Sequence, residues 1–285
     1  MATATAPPPV PDGALVLIGT PIGNLGDLSP RAVEALAGAD VVCCEDTRRT
    51  GRLLEHAGIG RRPLLTVNDH TEARAIGEVM ARLTRGERVA VVSDAGMPGV
   101  SDPGERLVRA AVADGHVVEV VPGPSAAITA LVASGLPAGR FAFEGFLPRK
   151  GSGRTERLDA LAVERRTVVL YEAPHRLDRT LADLAAACGP SRRVVVAREL
   201  TKLHEETWRG TLAEAVERVA EVEPRGEYVL VLDGAPEAAE ATDDEISAAL
   251  DAARAAGAST RDAVALVAED LAVSKRRVYA LATSR

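Results

Sequence analysis

In its pattern of hydrophobic and polar positions, the first half of the chain alternates short β-branched runs with stretches of helical periodicity. The runs at residues 14–19, 40–44, 63–67, 88–93 and 116–121 predict buried strands. The segments between them predict amphipathic helices with recognisable starts. Ser29-Pro30 offers an N-cap and a proline at the first helical position, and Asp102-Pro103 repeats the device. Thr71 opens a helix over 72–85 that stops at Gly86. Alternation of this kind predicts a largely parallel sheet with helices on both faces.

The pattern pauses at Pro122-Gly123-Pro124-Ser125, and residues 124–134 predict a helix leading into a second unit. Strands are expected there at 141–143, 167–171, 193–197, 206–209 and 227–232, with helices at 174–187 and 211–222. Fewer helices separate these strands, so some of the pairs should be antiparallel. The expected organisation is an α/β domain over 13–123, a second over 124–234, a linker at 235–241 and a helical module over 242–285. That module reads as three short helices, 243–256, 260–270 and 274–282, with the joints and serine caps of a helix-turn-helix. Residues 1–12 read as a disordered Ala/Thr/Pro tail without the basic and apolar regions of a secretory signal.

Composition narrows the classes. Hydrophobic residues make up 46% of the 285, enough for real cores, and no apolar run approaches the roughly 20 residues that span a bilayer. Cys43, Cys44 and Cys188 form neither a disulfide framework nor a metal-site spacing, which fits a reduced cytoplasmic compartment. A net charge of −7 argues against a protein that coats nucleic acid non-specifically, though not against a local basic groove. Aromatic residues are only 2%, too few for a stacking platform.

Several stretches at strand ends carry candidate chemistry. Residues 19–27 (GTPIGNLGD) follow the first strand, but their spacing is neither a dinucleotide fingerprint nor a P-loop, so a plain strand-to-helix loop stays open. Residues 93–104 (SDAGMPGVSDPG) are too long and too rich in Gly, Pro and Asp for a mere connection at a strand's carboxyl end, where α/β sheets collect ligands. Residues 45–50 (EDTRRT) admit two readings: Asp46 or Thr47 as a helix cap, or carboxylates and arginines facing a hydroxyl and phosphates. Residues 149–157 (RKGSGRTER) form the densest basic loop, suited to a phosphate-lined entrance or simply to solubility. Residues 171–176 (YEAPHR) and 198–206 (RELTKLHEE) end further strands. No spacing reads as a metal site, and His56, His70 and His116 read as structural.

Taken together and in order, LIGTPIGNLGDLS (17–29), EDTR (45–48), SDAGMPGVSDPG (93–104), PGPSA (122–126), YEAPHR (171–176) and ARELTK (197–202) resemble the small-subunit ribosomal RNA methyltransferase I family. Those enzymes are the 16S rRNA cytidine 2′-O-methyltransferases of the tetrapyrrole-methylase superfamily. The resemblance covers about residues 13–234, and the final helices resemble that family's helix-turn-helix appendix. It implies an α/β fold of two domains, class III among methyltransferases, with S-adenosyl-L-methionine in the cleft between them. It also implies a homodimer acting on 16S rRNA of the small ribosomal subunit, with no membrane. By position it assigns the cofactor to Pro21, to Asp94, Ala95, Gly96, Gly99 and Val100, to Ser125 and Ala126, and to Tyr171, Glu172 and Gly210. The wider superfamily often reads Gly-Gly-Asp-Pro where this chain has Asp94-Ala95-Gly96-Met97, which sets it apart from the porphyrin C-methylating branch.

A ribose hydroxyl is a poor nucleophile, so a carboxylate should orient or accept its proton. Asp46 or Glu199 is expected in that role, with Lys202 or Arg48 steering phosphate and Arg149, Lys150, Arg154 and Arg176 on the RNA. Two other readings stay open. One is C-methylation of a polycarboxylate tetrapyrrole in the same cleft. The other is a non-enzymatic RNA-binding or ribosome-assembly factor, although residues 242–285 hold six Lys/Arg against seven Asp/Glu.

Overall fold

The computed structural model describes residues 13–68, 71–236, 241–271 and 273–284. The expected tail, residues 237–240 of the expected linker, and His70 lie outside them. The chain divides into two compact units, one running to Ala235 and the other starting at Pro236. Among the described residues no helix is long and apolar enough to cross a membrane.

The first unit holds two five-stranded sheets. One is built from β1 (Ala14–Ile18), β2 (Val41–Cys44), β3 (Leu64–Thr66), β4 (Val89–Val91) and β5 (Val117–Val121), in the order β3-β2-β4-β1-β5. Its pairings are all parallel, as the alternation predicts. The period-two direction of strand side chains sorts its core. Leu15 and Leu17 pack with α3 (Glu72–Thr84) and α4 (Glu105–Ala113) through Val79, Leu83 and Leu107. Val16 and Ile18 pack on the other face with α1 (Pro30–Ala37) and α2 (Thr47–His56) through Ala32, Leu36 and Leu54. Cys43 and Cys44 divide the same way, and burial pushes the Cys43 thiol up to about 12.

Two helix starts differ in outcome. Ser29 caps α1 as expected, its hydroxyl accepting from the Ala32 nitrogen at 3.1 Å with Pro30 in the first turn. The expected start of α4 at Asp102-Pro103 is displaced: the helix begins at Glu105 after Gly104 and has no side-chain cap of its own. The chain steps from β1 over β4 to β2 and returns later, so the carboxyl ends of β1 and β4 flank the reversal of strand order. Open α/β sheets bind ligands at such a point.

The other sheet orders β6 (Phe141–Phe146), β7 (Thr167–Glu172), β8 (Arg193–Arg198), β9 (Glu206–Thr211) and β10 (Tyr228–Leu232) as β6-β7-β10-β8-β9. Only β6–β7 is parallel, and the other three pairings are antiparallel. One face packs against α6 (Ser152–Val163), α7 (Leu177–Cys188) and α8 (Leu212–Glu221). The other packs against α5 (Ala126–Ser134), and Ile22, from the loop after β1, is buried in that same cluster. The first sheet's loop therefore plugs into the second sheet's core.

In the second unit α9 (Asp243–Ala255), α10 (Thr260–Asp270) and α11 (Lys275–Thr283) close around Ile246, Leu250, Val264, Val267 and Val278. Ser259 and Ser274 cap α10 and α11 as expected, and Thr242 makes a reciprocal capping box with Glu245.

Candidate active site

Three loops at the carboxyl ends of β1, β4 and β2 are tied into one surface. Thr20 and Gly96 exchange backbone hydrogen bonds of 2.9 and 3.1 Å, which zips the loop after β1 to the loop after β4. Asp94 joins the third loop: its nitrogen donates to Glu45 Oε1 at 3.1 Å, and its Oδ1 accepts from the Asp46 nitrogen at 3.2 Å. Its Oδ2 pairs with Arg49 Nη1 at 3.4 Å.

The second sheet supplies the opposite wall. The turn after β8 carries Glu199 and Thr201 at φ of 49° and 67°, a left-handed conformation that costs about 1–3 kcal/mol per non-glycine residue. This turn meets the loop after β1 at Gly23, where a Cβ would come within 2.4 Å of Lys202 Cγ and 2.8 Å of Thr201 Oγ1. The Asn24 nitrogen donates to Thr201 Oγ1 at 3.1 Å. Lys202 Nζ bridges Glu199 Oε1 at 2.8 Å and Glu227 Oε2 at 2.9 Å. Burial opposes the lysine's charge, but these two bonds outweigh it and raise its pKa. Burial likewise opposes the Glu199 charge, and the Lys202 and backbone bonds leave that carboxyl below its ordinary range.

Between the walls lie two adjoining cavities of about 290 and 260 Å³. The first is lined by Thr20, Pro21, Gly23, Arg49, Arg52, Asp94, Lys202 and other residues. The second is lined by Gly96, Met97, Val100, Ser125, Ala126, Tyr171, Leu200, Val229 and others. Ile22, Ala95 and Glu227 line both. Tyr171 is seated by Phe143 and Phe146, with ring centroids 5.1 and 5.6 Å away, and its hydroxyl accepts from the Ala127 nitrogen at 3.2 Å. Among the described residues no group of His, Cys, Asp and Glu is arranged to hold a metal ion.

Of the expected cofactor residues, the structure brings Pro21, Asp94, Ala95, Gly96, Val100, Ser125, Ala126, Tyr171 and Glu172 to the cavity walls. Gly99 shapes its loop instead, its nitrogen donating to the Pro103 carbonyl at 3.0 Å. Gly210 lies apart from the residues that line the cavities. It pairs with Val194 on β9, four residues and about 13 Å along the strand from the Arg198–Glu206 end that adjoins the cleft. Its open side is filled by Trp208 and Glu214.

The expected catalytic and RNA residues divide similarly. Asp46 takes the capping role: its Oδ1 accepts from the Arg48 nitrogen at 2.8 Å, and Arg48 holds the carboxyl down at about 2. It lines neither cavity, and Glu199 supports Lys202 and Glu227 from behind the wall. Arg48 is exposed and spent on Asp46, so the arginines that reach the cavity are its neighbours Arg49 and Arg52.

The basic stretch 149–157 is not all loop, because α6 begins at Ser152. Arg149 and Lys150 are exposed ahead of that helix. Arg154 is 4% exposed and bonds Asp183 at 2.8 Å, the Pro148 carbonyl at 2.9 Å and Thr180 Oγ1 at 3.0 Å, so it is structural. Arg176 is likewise held by Glu172 at 3.1 Å and the Leu147 carbonyl at 2.6 Å. The sequence reading missed Arg52 and Glu227; a run of Arg48, Arg49 and Arg52 on one helix was a usable signal for the first, and nothing local marked the second.

The profile of the tetrapyrrole (corrin/porphyrin) methylases matches residues 14–216. The ribosomal RNA small subunit methyltransferase I of Synechocystis sp. is 46% identical over 271 residues, covering 94% of this chain and 97% of that protein. The protein of the same name in Xylella fastidiosa (strain Temecula1) is 52% identical over 225 residues, covering 78% and 82%. Among solved structures, the methyltransferase CobJ superposes with a TM-score of 0.60 at 23% identity, covering 78% of this chain and 94% of that one, a likeness of fold.

Proposed function

The chain belongs to the tetrapyrrole (corrin/porphyrin) methylases, and we propose that it transfers a methyl group from S-adenosyl-L-methionine to the 2′-hydroxyl of a cytidine in 16S rRNA of the small ribosomal subunit. The observation that carries this reading is the pairing of two different cavities across a shared wall. One is lined mostly by small and apolar residues, with Asp102, Glu172 and Glu227 as its acidic positions, and the other opens onto Arg49, Arg52 and Lys202.

The residues of the first kind fit the cofactor. Ala95, Gly96 and Ala126 have almost no side chain, so a ligand can approach the backbone closely there. Ile22, Val100 and Leu200 offer apolar surface for a purine. The Ser125 hydroxyl makes no cap bond to α5. When bound, the cofactor supplies an electrophilic methyl group. What the protein adds is alignment of the acceptor oxygen behind that methyl, a contribution of several kcal/mol in well-oriented sites, on the order of 7 or more.

The cationic cavity suits the sugar–phosphate backbone. Arg49 and Arg52 lie one helical turn apart on α2 and present donors in the planar fork that matches phosphate. Arg149 and Lys150, exposed ahead of α6, extend the contact to RNA beyond the cleft. Relatives 46–52% identical that carry the name ribosomal RNA small subunit methyltransferase I support this substrate over a tetrapyrrole. The working form is a homodimer in the cytoplasm, in keeping with three free cysteines among the described residues.

The test is transfer of labelled methyl from S-adenosylmethionine to small ribosomal subunits from a strain lacking its own enzyme, followed by nucleoside digestion. Label in 2′-O-methylcytidine is expected. Label on a base overturns the ribose assignment. No label, with cofactor binding demonstrated separately, overturns the RNA assignment.

A further inference from the structure

We propose that the Glu227 carboxylate accepts the proton of the ribose hydroxyl during methyl transfer, with Glu199 and Lys202 as the residues that position it; this rests on the function proposed above. The first support is place. Methyl transfer must occur where the cofactor cavity meets the acceptor cavity. Of Ile22, Ala95 and Glu227, which line both, only Glu227 carries an ionisable group.

The second support is construction. The Glu199 nitrogen donates to the Glu227 carbonyl at 2.9 Å, and the Glu227 nitrogen donates to Glu199 Oε1 at 2.9 Å. The two residues are thus clamped to each other across 28 positions of sequence. Gly226 makes the clamp possible. It has a φ of 83°, and a Cβ there would stand 2.5–2.7 Å from the Glu199 carboxyl group. Lys202 Nζ then fixes Glu227 Oε2 from the side at 2.9 Å, leaving Oε1 without a hydrogen-bond partner among the described residues. The two strained residues of this turn, Glu199 and Thr201, lead directly into Lys202. Strain of this kind persists where the surroundings over-determine it, which the clamp does.

The third support is the state of the competing carboxylates. Asp94 also lines the acceptor cavity, but its Oδ1 accepts from Asp46 and its Oδ2 faces Arg49. Asp46 is tied to Arg48 by both oxygens. Glu199 gives Oε1 to Lys202 and the Glu227 nitrogen together.

In the proposed step the 2′-oxygen bonds to the methyl carbon as the carbon–sulfur bond breaks, and that electron pair stays on sulfur. The hydroxyl proton passes to Glu227 Oε1. Charge balances: a cationic sulfonium and a carboxylate become a neutral thioether and a neutral carboxylic acid.

The experiment compares full-length wild type with Glu227→Gln and Glu227→Ala in single-turnover methylation of small subunits at saturating cofactor, alongside S-adenosylhomocysteine affinity. Glu227→Gln should lose about 10²–10⁴-fold in rate, the usual range for a general base, with cofactor affinity and subunit KM within about threefold. Added formate should restore part of the Glu227→Ala rate and leave wild type unchanged. Glu227→Gln keeping more than about a tenth of the rate overturns the proposal. So does a Glu227→Ala that binds cofactor and is not rescued, or a pair of variants that no longer bind cofactor, since Glu227 would then serve the cleft's structure. Rates are scored as methyl transferred to whichever nucleoside wild type modifies, so failure of the ribose reading shows in the wild-type product alone.

Discussion

Glu72 Oε1 stands 2.9 Å from the backbone nitrogen of Gly104, although the two residues belong to different helical segments and are 32 positions apart. The same oxygen accepts from Arg106 at 3.0 Å and Leu107 at 3.4 Å. A carboxylate of α3, itself 4% exposed, therefore supplies the cap that α4 lacks. An anion at a helix N-terminus satisfies orphan amides and complements the helix dipole. Because residues 93–104 end where α4 begins, Glu72 also holds the end of the loop that lines both cavities.

Glu72→Ala should accordingly lower stability by about 2–4 kcal/mol, the cost of leaving several buried donors unmet. Cofactor affinity should fall about tenfold. Glu72→Gln, which keeps one acceptor oxygen, should recover part of both. Urea unfolding and titration calorimetry read the two effects. A Glu72→Ala protein with unchanged cofactor affinity would show that α4 orders the loop without it.

Gly23→Ala tests the seam between the sheets. The added methyl meets Lys202 Cγ, Thr201 Oγ1 and, at 3.1 Å, the Leu200 carbonyl, so the turn carrying Lys202 must move. Turnover should drop at least about tenfold, since small misplacements cost that much in a well-aligned site. Thermal melting of the same variant should shift by only a few degrees.

Arg49→Ala and Arg52→Ala should each raise KM for the small subunit several-fold. Each lost phosphate contact should also flatten the slope of log affinity against log salt by about 1. If affinity falls while the slope stays at its wild-type value, the two arginines do not meet phosphates.

Arg154→Ala, by contrast, should leave subunit KM alone and act on folding. Removing this buried cation deprives the Pro148 carbonyl and Thr180 of a donor and Asp183 of the nearer of its two arginines, and should cost about 1–3 kcal/mol. A raised KM in a fully folded variant would return Arg154 to the RNA surface.

The Glu199 carboxyl lies below its ordinary value of 4.5 in the folded protein. A depressed carboxyl contributes stability that is present above 4.5 and lost as pH falls through its lower folded value. Wild type should thus melt above Glu199→Gln at pH 7, and the difference should close as pH falls below 4.5 and through the lower folded value. A difference that persists unchanged into acid would point to packing rather than charge.

The strands were legible because β-branched runs of the right length admit few other structures, and the order of Gly-rich loops at their carboxyl ends pointed to the cleft. Helix α6 was hidden because Gly151, Ser152 and Gly153 look like a loop, and the burial of Arg154 depends on Asp183 and Thr180. The place of Gly210 was not legible because position within a motif does not report register, and four residues of register separate it from the cleft end of β9. Glu227 reads locally as no more than the first residue of an expected strand.

By itself the sequence determined most of the elements, the parallel order of the first sheet, the loops that line the cleft and, through its motifs, the family. Those properties depend on periodicity, propensity and local turn chemistry, which act over a few residues. Only the tertiary structure decided which carboxylates face the cleft and which serve the fold. Glu72 became a cap for a distant helix, Glu199 a support and Glu227 a wall residue, each through partners that chain folding alone brings within about 3 Å.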